Sequence, residues 1–381
     1  MTTKQPIYIT RLATFLPNQP VDNADMERYL GMLGGKPSKS KAMVLRNNGI
    51  KTRHYALDAN GRPTHTNAQL AAAALNQLFD TKFSREKLQL LTCGTTSPDQ
   101  LLPSHASMVL GELGGRPIEA LSPSGSCCTG LQAMNYAYLS LLAGNYENAA
   151  VVGSERLSGW VKSNSYQEEA EKVLRLEGNP MLAFEKDFLR WMLSDGAAAC
   201  LLQTTPNTEG LSYRVEWIEL KSFASELPVC MYVGANKNED GTTTGFADID
   251  QSRWLPESVF AMKQDTRVLG DSIVKCGGVF LKEICEKRQF DVSSIDFFCP
   301  HLSSEFFGLK IDAELQAIGL PIPREKWFYN LTRVGNIGAA SQFAMLDELM
   351  RSGRLQKGHK VLVMVPESAR FSYGYLLVTA V

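Results

Sequence analysis

The chain has 381 residues, 44% of them hydrophobic and 21% charged, which suits a folded soluble protein of two domains or one duplicated unit and excludes disordered or fibrous classes. A formal net charge of -1 excludes a broadly basic, nucleic-acid-binding surface, so an acidic partner must be met by a local patch. The start, Met1-Thr-Thr-Lys-Gln-Pro-Ile-Tyr8, has no signal-like apolar core, and no apolar run reaches the roughly 18 residues of a membrane span, so a cytoplasmic protein is expected.

An opening strand is predicted over Ile7-Tyr-Ile-Thr-Arg-Leu12, followed to about residue 65 by loops and short helices rich in turn signals such as Asn47-Asn-Gly49. Residues 67–79 are Ala- and Leu-rich and read as a helix, and Leu88-Gln-Leu-Leu-Thr-Cys93 reads as a buried strand. A second helix is expected over 131–142, with no Gly or Pro inside and Gly144 as its stop. Strands follow at Ala149-Ala-Val-Val152 and Gly196-Ala-Ala-Ala-Cys-Leu-Leu202. Strands alternating with helices imply an α/β fold with sheets buried on both faces.

The segment 128–155 is echoed by 336–367. In each, a small-residue turn opens an apolar helix, a glycine ends it (Gly144; Gly353), and a buried strand follows (149–152; 361–365). Thr92-Cys-Gly-Thr-Thr-Ser97 and Phe298-Cys-Pro-His-Leu-Ser303 fall at matching places. Two similar halves, 1–205 and 206–381, are the reading taken; chance likeness of two helix-strand units is the alternative.

Eight cysteines are scattered without a disulfide-scaffold spacing, and no CxxC or HExxH appears, so neither a metal nor any other cofactor is expected. Cys128, in Ser124-Gly-Ser-Cys-Cys-Thr-Gly-Leu131, precedes a strong helical run. Unpaired amides and the dipole at a helix N-terminus favour a thiolate there and can bind an oxyanion, so Cys128 is either a nucleophile or one more buried thiol. His301 follows the apolar run 295–300, at a strand end where open α/β sheets gather their sites; it is a functional imidazole or a satisfied structural one. Asn336 opens its own helix and serves as an N-cap or a site residue. The echo puts Cys128 and Asn336 at equivalent helix starts and His301 at an equivalent strand end, so the three can share one cavity.

Five motifs in order make the chain resemble the thiolase-fold condensing enzymes of the ketoacyl synthase III type: Gly49-Ile-Lys-Thr-Arg-His54, Cys128-Thr-Gly-Leu131, Ser194-Asp-Gly-Ala-Ala198, Cys299-Pro-His301 and Gly335-Asn-Ile-Gly-Ala-Ala-Ser341. The resemblance implies a duplicated five-layer αβαβα fold, a homodimer, and acyl carrier protein or acyl-CoA substrates. It also implies that Cys128, rather than Cys127, carries the acyl group while His301 and Asn336 stabilise the enolate or oxyanion.

Two departures stand out. Pro300-His-Leu-Ser-Ser304 replaces the family's Pro-His-Gln-Ala-Asn, and Pro366-Glu-Ser-Ala-Arg370 replaces a glycine-rich turn, which makes Ala369 N–H the expected oxyanion-hole donor beside a reshaped pocket. With residues 46–53 and 64–67, that turn resembles a branch that joins a β-ketoacyl and an α,β-unsaturated thioester into dialkylresorcinol or cyclohexanedione rings; conventional chain initiation is the alternative. Ring formation without decarboxylation needs a base. Glu155 is the candidate, unless it is a solvated or helix-capping carboxylate. Arg46, Lys51 and Arg53 are the candidates for a carrier-protein patch.

Overall fold

The computed structural model describes residues 5–32, 35–38, 41–163 and 189–381. Nine strands form its main sheet: β1 (Tyr8–Phe15), β2 (Leu90–Gly94), β3 (Glu119–Leu121), β4 (Asn148–Glu155), β5 (Gly196–Gln203), β6 (Tyr213–Ser222), β7 (Phe297–Pro300), β8 (Lys360–Glu367) and β9 (Ser372–Ala380). Six helices pack on it: α1 (Asn67–Asn76), α2 (His105–Leu113), α3 (Thr129–Leu142), α4 (Thr266–Arg288), α5 (Glu305–Ala317) and α6 (Ser341–Arg351).

The strand order is β7-β8-β9-β6-β1-β5-β4-β2-β3. Its wiring repeats: β2 lies parallel to β4, which pairs antiparallel with β5, which pairs antiparallel with β1. In the same way β7 lies parallel to β8, which pairs antiparallel with β9, which pairs antiparallel with β6. The two sets meet only through Tyr8 opposite Arg214 and Ile9 opposite Tyr213. So short a seam lets the sheet turn there, and both sets face the same central helices, α3 and α6.

Alternation along the strands sorts the core into three apolar layers, because successive side chains in a strand point to opposite faces. In β4, Ala150 and Val152 face outward with Ala197 and Ala199 of β5 toward α1 and α2, while Ala149 and Val151 face inward toward α3 and α6. In β8, Val361, Val363 and Val365 face the same central helices, and Leu362 and Met364 face α4 and α5. The result is five layers, α1/α2, sheet, α3/α6, sheet, α4/α5. It is the duplicated α/β architecture expected from the motifs.

Local signals set the helix limits. Thr66 and Gln69 make a reciprocal capping box at the start of α1, the Thr66 hydroxyl accepting from Gln69 N at 3.1 Å and the Gln69 side chain accepting from Thr66 N at 3.0 Å. This helix is shorter than the 67–79 expected, ending at Asn76. The Ser304 that departs from the family pattern caps α5, accepting from Phe306 N at 3.3 Å and donating to Asn47 O at 3.1 Å. Arg53 is not a surface cation: it is fully buried, donating to Asn23 Oδ1 at 2.8 Å and Trp191 O at 3.3 Å, while Arg46 and Lys51 are exposed. Among the described residues no helix is long and apolar enough to cross a membrane.

The two central helices begin almost in backbone contact. A Cβ at Gly130 would lie 2.1 Å from Ala339 O, and one at Gly153 would lie 2.0 Å from the same oxygen. No side chain fits there. Gly130→Ala should cost about 3 kcal/mol in thermal or urea unfolding, the scale of overpacking a close-packed core. Gly111→Ala, on α2 with nothing within 4 Å of the added Cβ, should be neutral or stabilising in the same measurement.

Candidate active site

The tight crossing of α3 and α6 brings the motif residues together. A cavity opens where the helix starts meet the ends of β2, β7 and β8; Thr96, Ser126, Cys127, His301, Asn336 and Gly338 line its polar end. Leu193, Met231, Met262, Leu269, Ile273 and Phe307 are among the residues of its apolar wall. A polar end that can do chemistry and an apolar wall beside it are what an acyl-binding site requires.

His301 sits one residue beyond β7, its N–H donating to Met364 O at 2.8 Å so that the β7–β8 pairing continues through it. Its ring is buried, and burial lowers its pKa to about 4. The imidazole is therefore neutral at ordinary pH and able both to accept and to donate one proton. Asn336 is also buried, and its Oδ1 accepts from Gly338 N at 2.9 Å. It is not the N-cap of α6, which is Ala340, but folds the chain into the single turn 338–340 before that helix, and with Oδ1 engaged its NH2 group is what the side chain can offer to a ligand. Gly335 before it has φ +74°, and a Cβ there would lie 2.8 Å from Ser194 Cβ, which ties the Gly-Asn motif to the Ser194-Asp195-Gly196 motif. Asp195 in turn accepts from Ala56 N at 2.7 Å and Ser158 N at 2.8 Å. Burial, against these hydrogen bonds, raises it to about 6. Its work is to hold loops around the cavity.

The cysteine pair departs from expectation. Cys128 is the N-cap residue of α3, as predicted, yet its side chain is fully enclosed and its thiol donates to Val365 O at 3.1 Å. Cys127 is the cysteine on the cavity wall. Nor does the helix start yield a low-pKa thiol. Burial first, then the Glu367 carboxylate, then Cys127 push Cys128 well above the ordinary thiol range, and burial with Glu155 and Glu367 pushes Cys127 up to about 12. Desolvation and two carboxylates outweigh the dipole.

Glu155, the candidate base, ends β4 fully buried, with both oxygens engaged. Oε1 accepts from Thr96 N at 3.0 Å, Thr96 Oγ1 at 2.7 Å and Ala339 N at 3.0 Å, and Oε2 accepts from Ser97 Oγ at 2.6 Å. This is the capping alternative, a carboxylate spanning the two halves, and it does not line the cavity. Ala369 is likewise off the wall; Pro366 and Ser368 line the cavity at that turn, while Ala369 O accepts from Cys230 N at 2.9 Å and Met231 N at 3.2 Å. The Pro-Glu-Ser turn is thereby strapped to the 230–264 segment, an attachment completed by Gln264 Nε2 donating to Ser368 Oγ at 2.8 Å.

Sequence reasoning missed Glu367. Its carboxylate is buried, and Oε2 accepts from Ser126 N at 3.1 Å and Cys128 N at 3.3 Å. The one signal for it was the replacement of glycines by Pro366-Glu-Ser368. Among the described residues no three His, Cys, Asp or Glu are grouped to hold a metal.

Comparison with known proteins agrees with this arrangement. Residues 285–379 match the family described as 3-oxoacyl-[acyl-carrier-protein (ACP)] synthase III C terminal. The chain is 25% identical over 370 residues, 97% of itself and 96% of the relative, to the beta-ketoacyl-[acyl-carrier-protein] synthase III of Desulfitobacterium hafniense. Its fold is similar to that of AbyA1, a tetronic acid condensing enzyme (TM-score 0.75, 20% identity, 98% of this chain and 99% of that one). It is similar too to Xanthomonas campestris OleA with bound lauric acid and lauroyl-CoA (TM-score 0.74, 21% identity, 99% and 100%). In fold and in sequence the chain is thus similar to thiolase-fold condensing enzymes of the ketoacyl synthase III type. The chain is an acyltransferase.

The burial of His301 has a consequence for stability. Between pH 6.5 and 4 an unfolded chain takes up a proton that the folded site refuses, so this contribution is complete above pH 6.5 and is lost as pH falls toward 4. Urea unfolding at pH 7.5 and pH 5.0 should show His301→Gln losing about 2 kcal/mol less than the parent between the two.

Proposed function

We propose that this chain forms carbon-carbon bonds between acyl thioesters, using one thiol of the Cys127–Cys128 pair as acyl carrier and His301 with Asn336 as the groups that stabilise the oxyanion or enolate. The observation that carries the reading is the single cavity in which the wall of the cysteine turn, His301 and Asn336 meet at one polar end of an apolar chamber. The thiol attacks a thioester carbonyl and the carrier thiol leaves with the displaced proton; a carbanion from a second thioester then adds to the enzyme-bound acyl carbonyl, and collapse breaks the enzyme C–S bond, the released thiolate taking back the proton removed from the second substrate. Neutral His301 is the cavity-facing group able to take the proton from that second substrate, since both Glu155 oxygens are engaged. The enzyme acts as a homodimer whose protomers comprise the halves 1–205 and 206–381, with substrates delivered by acyl carrier protein or CoA.

Between the thiols, the motif Cys128-Thr-Gly-Leu131 and its N-cap position favour Cys128, which must then turn from Val365 O toward the cavity. Cys127 is the second reading, favoured by its place on the wall. Incubation with octanoyl-CoA and peptide mass spectrometry should find the acyl group on the peptide that contains both. Loss of the adduct in Cys128→Ala but not in Cys127→Ala supports the first; the reverse pattern overturns it. His301→Ala and Asn336→Ala should retain the adduct and lose condensation by about 100-fold or more, the scale of removing one oxyanion donor.

For the products, we propose that a β-ketoacyl and an α,β-unsaturated acyl thioester are joined by two carbon-carbon bonds into a cyclohexanedione or resorcinol precursor. The Pro366-Glu-Ser368 turn at the cavity wall supports this reading. Decarboxylative chain initiation is the alternative, favoured by the name of the Desulfitobacterium relative. A cyclic product with no carbon dioxide released is expected; release of carbon dioxide from malonyl carrier protein with only a linear ketoacyl product would sink the ring-forming reading.

A further inference from the structure

The strand-end glutamates are exchanged between the halves. Glu155 ends β4 and binds Ala339 N at the turn leading into α6; Glu367 ends β8 and binds Ser126 N and Cys128 N at the turn leading into α3. The two positions are equivalent in the repeated wiring, yet their neighbours differ. Glu155 is saturated by three hydroxyl-bearing residues of the 95–97 loop as well as by backbone. Glu367 has Ser372 as its side-chain donor, and its Oε2 is directed at the peptide groups flanking Cys127.

We propose that Glu367 is a positioning residue of the nucleophile turn, an internal anion that occupies the Cys128 amide in the empty site and keeps the neighbouring thiols protonated until a thioester carbonyl takes its place. An amide at a helix start that already serves a buried carboxylate cannot also serve an oxyanion, so acyl transfer through this amide begins with an exchange of one anion for another. The same negative charge opposes thiolate formation beside it. The titratable groups that face Cys128 are Glu367, Cys127 and Tyr373, and those that face Cys127 include Glu155 and Glu367, with the neutral imidazole of His301 on the same cavity wall; among the described residues no Lys or Arg acts on either thiol. With the imidazole neutral and no Lys or Arg acting on these thiols among the described residues, removing the Glu367 charge has an effect of one sign.

The catalytic half of this inference rests on the proposed acyl transfer, but the protonation half does not. Glu367→Gln keeps an acceptor oxygen for the Ser126 and Cys128 amides and removes the charge. Iodoacetamide alkylation of the peptide holding Cys127 and Cys128, followed by mass spectrometry from pH 6 to 10, should run about tenfold faster in Glu367→Gln at each pH, since both thiols of the parent titrate above this range and the rate follows the thiolate fraction. Unchanged circular dichroism shows that the variant folds. Coincident pH profiles in parent and variant, or an upward shift, overturn the proposal. Glu155→Asp, which retains the charge on the other half, serves as a comparison and should leave the alkylation rate within about twofold of the parent at each pH; a gain as large as that of Glu367→Gln would mean general loosening and also overturn the proposal. If alkylation of Glu367→Gln accelerates while octanoyl-CoA acylates none of the proteins, the acyl-transfer reading fails and the role of Glu367 in thiol protonation stands.

Discussion

The crossing of α3 and α6 governs the rest of the structure. The Ala339 carbonyl enters a space that exists only because residues 130 and 153 have no side chain. That contact places the turn before Cys128 against the turn after Asn336, and the carboxylates of Glu155 and Glu367 then tie each turn to the strand end of the opposite half. Helix starts leave unpaired N–H groups, and burying them is costly unless something accepts from them. Here each half supplies the acceptor that the other needs, so neither turn is satisfied until both halves are folded together.

The same arrangement explains why the site is electrostatically unlike a bare helix N-terminus. A thiol at an N-cap is ordinarily drawn toward the thiolate, but Cys128 is enclosed and has a carboxylate on its own amide. His301 is buried without a charged partner and stays neutral. The polar end of the cavity therefore holds neutral groups in its resting condition, with the two carboxylates spent on backbone amides. Charge enters with the reaction, where neutral donors such as Asn336 and His301 are most useful to a developing oxyanion or enolate.

Departures from the family pattern also acquire physical reasons. Ser304 caps α5 and reaches back to Asn47, linking the C-terminal half to the early segment. The Pro366-Glu-Ser turn is anchored by Cys230, Met231 and Gln264, so the wall formed by Met231 and Met262 and the turn beside the cysteines hold one another in place. A change in that turn is thus a change in cavity shape as well as in backbone chemistry.

Read alone, the amino-acid order determined the alternating α/β plan, the helix that follows Cys128, the strand that His301 follows, and the meeting of the cysteine turn, His301 and Asn336 at one cavity. These are matters of period, capping and short motifs, and each is written in consecutive residues. Tertiary structure decided which thiol faces the cavity, that Glu155 is a cap with both oxygens engaged, that Ala369 turns its carbonyl toward Cys230 and Met231, and that Glu367 binds the Cys128 amide. Those outcomes depend on contacts between residues far apart in the chain, as with Glu155 and Ala339, Cys128 and Glu367, or Ala369 and Cys230. Local sequence constrains the backbone of each element; only packing the two halves together determines which polar group meets which, and how much water each one loses.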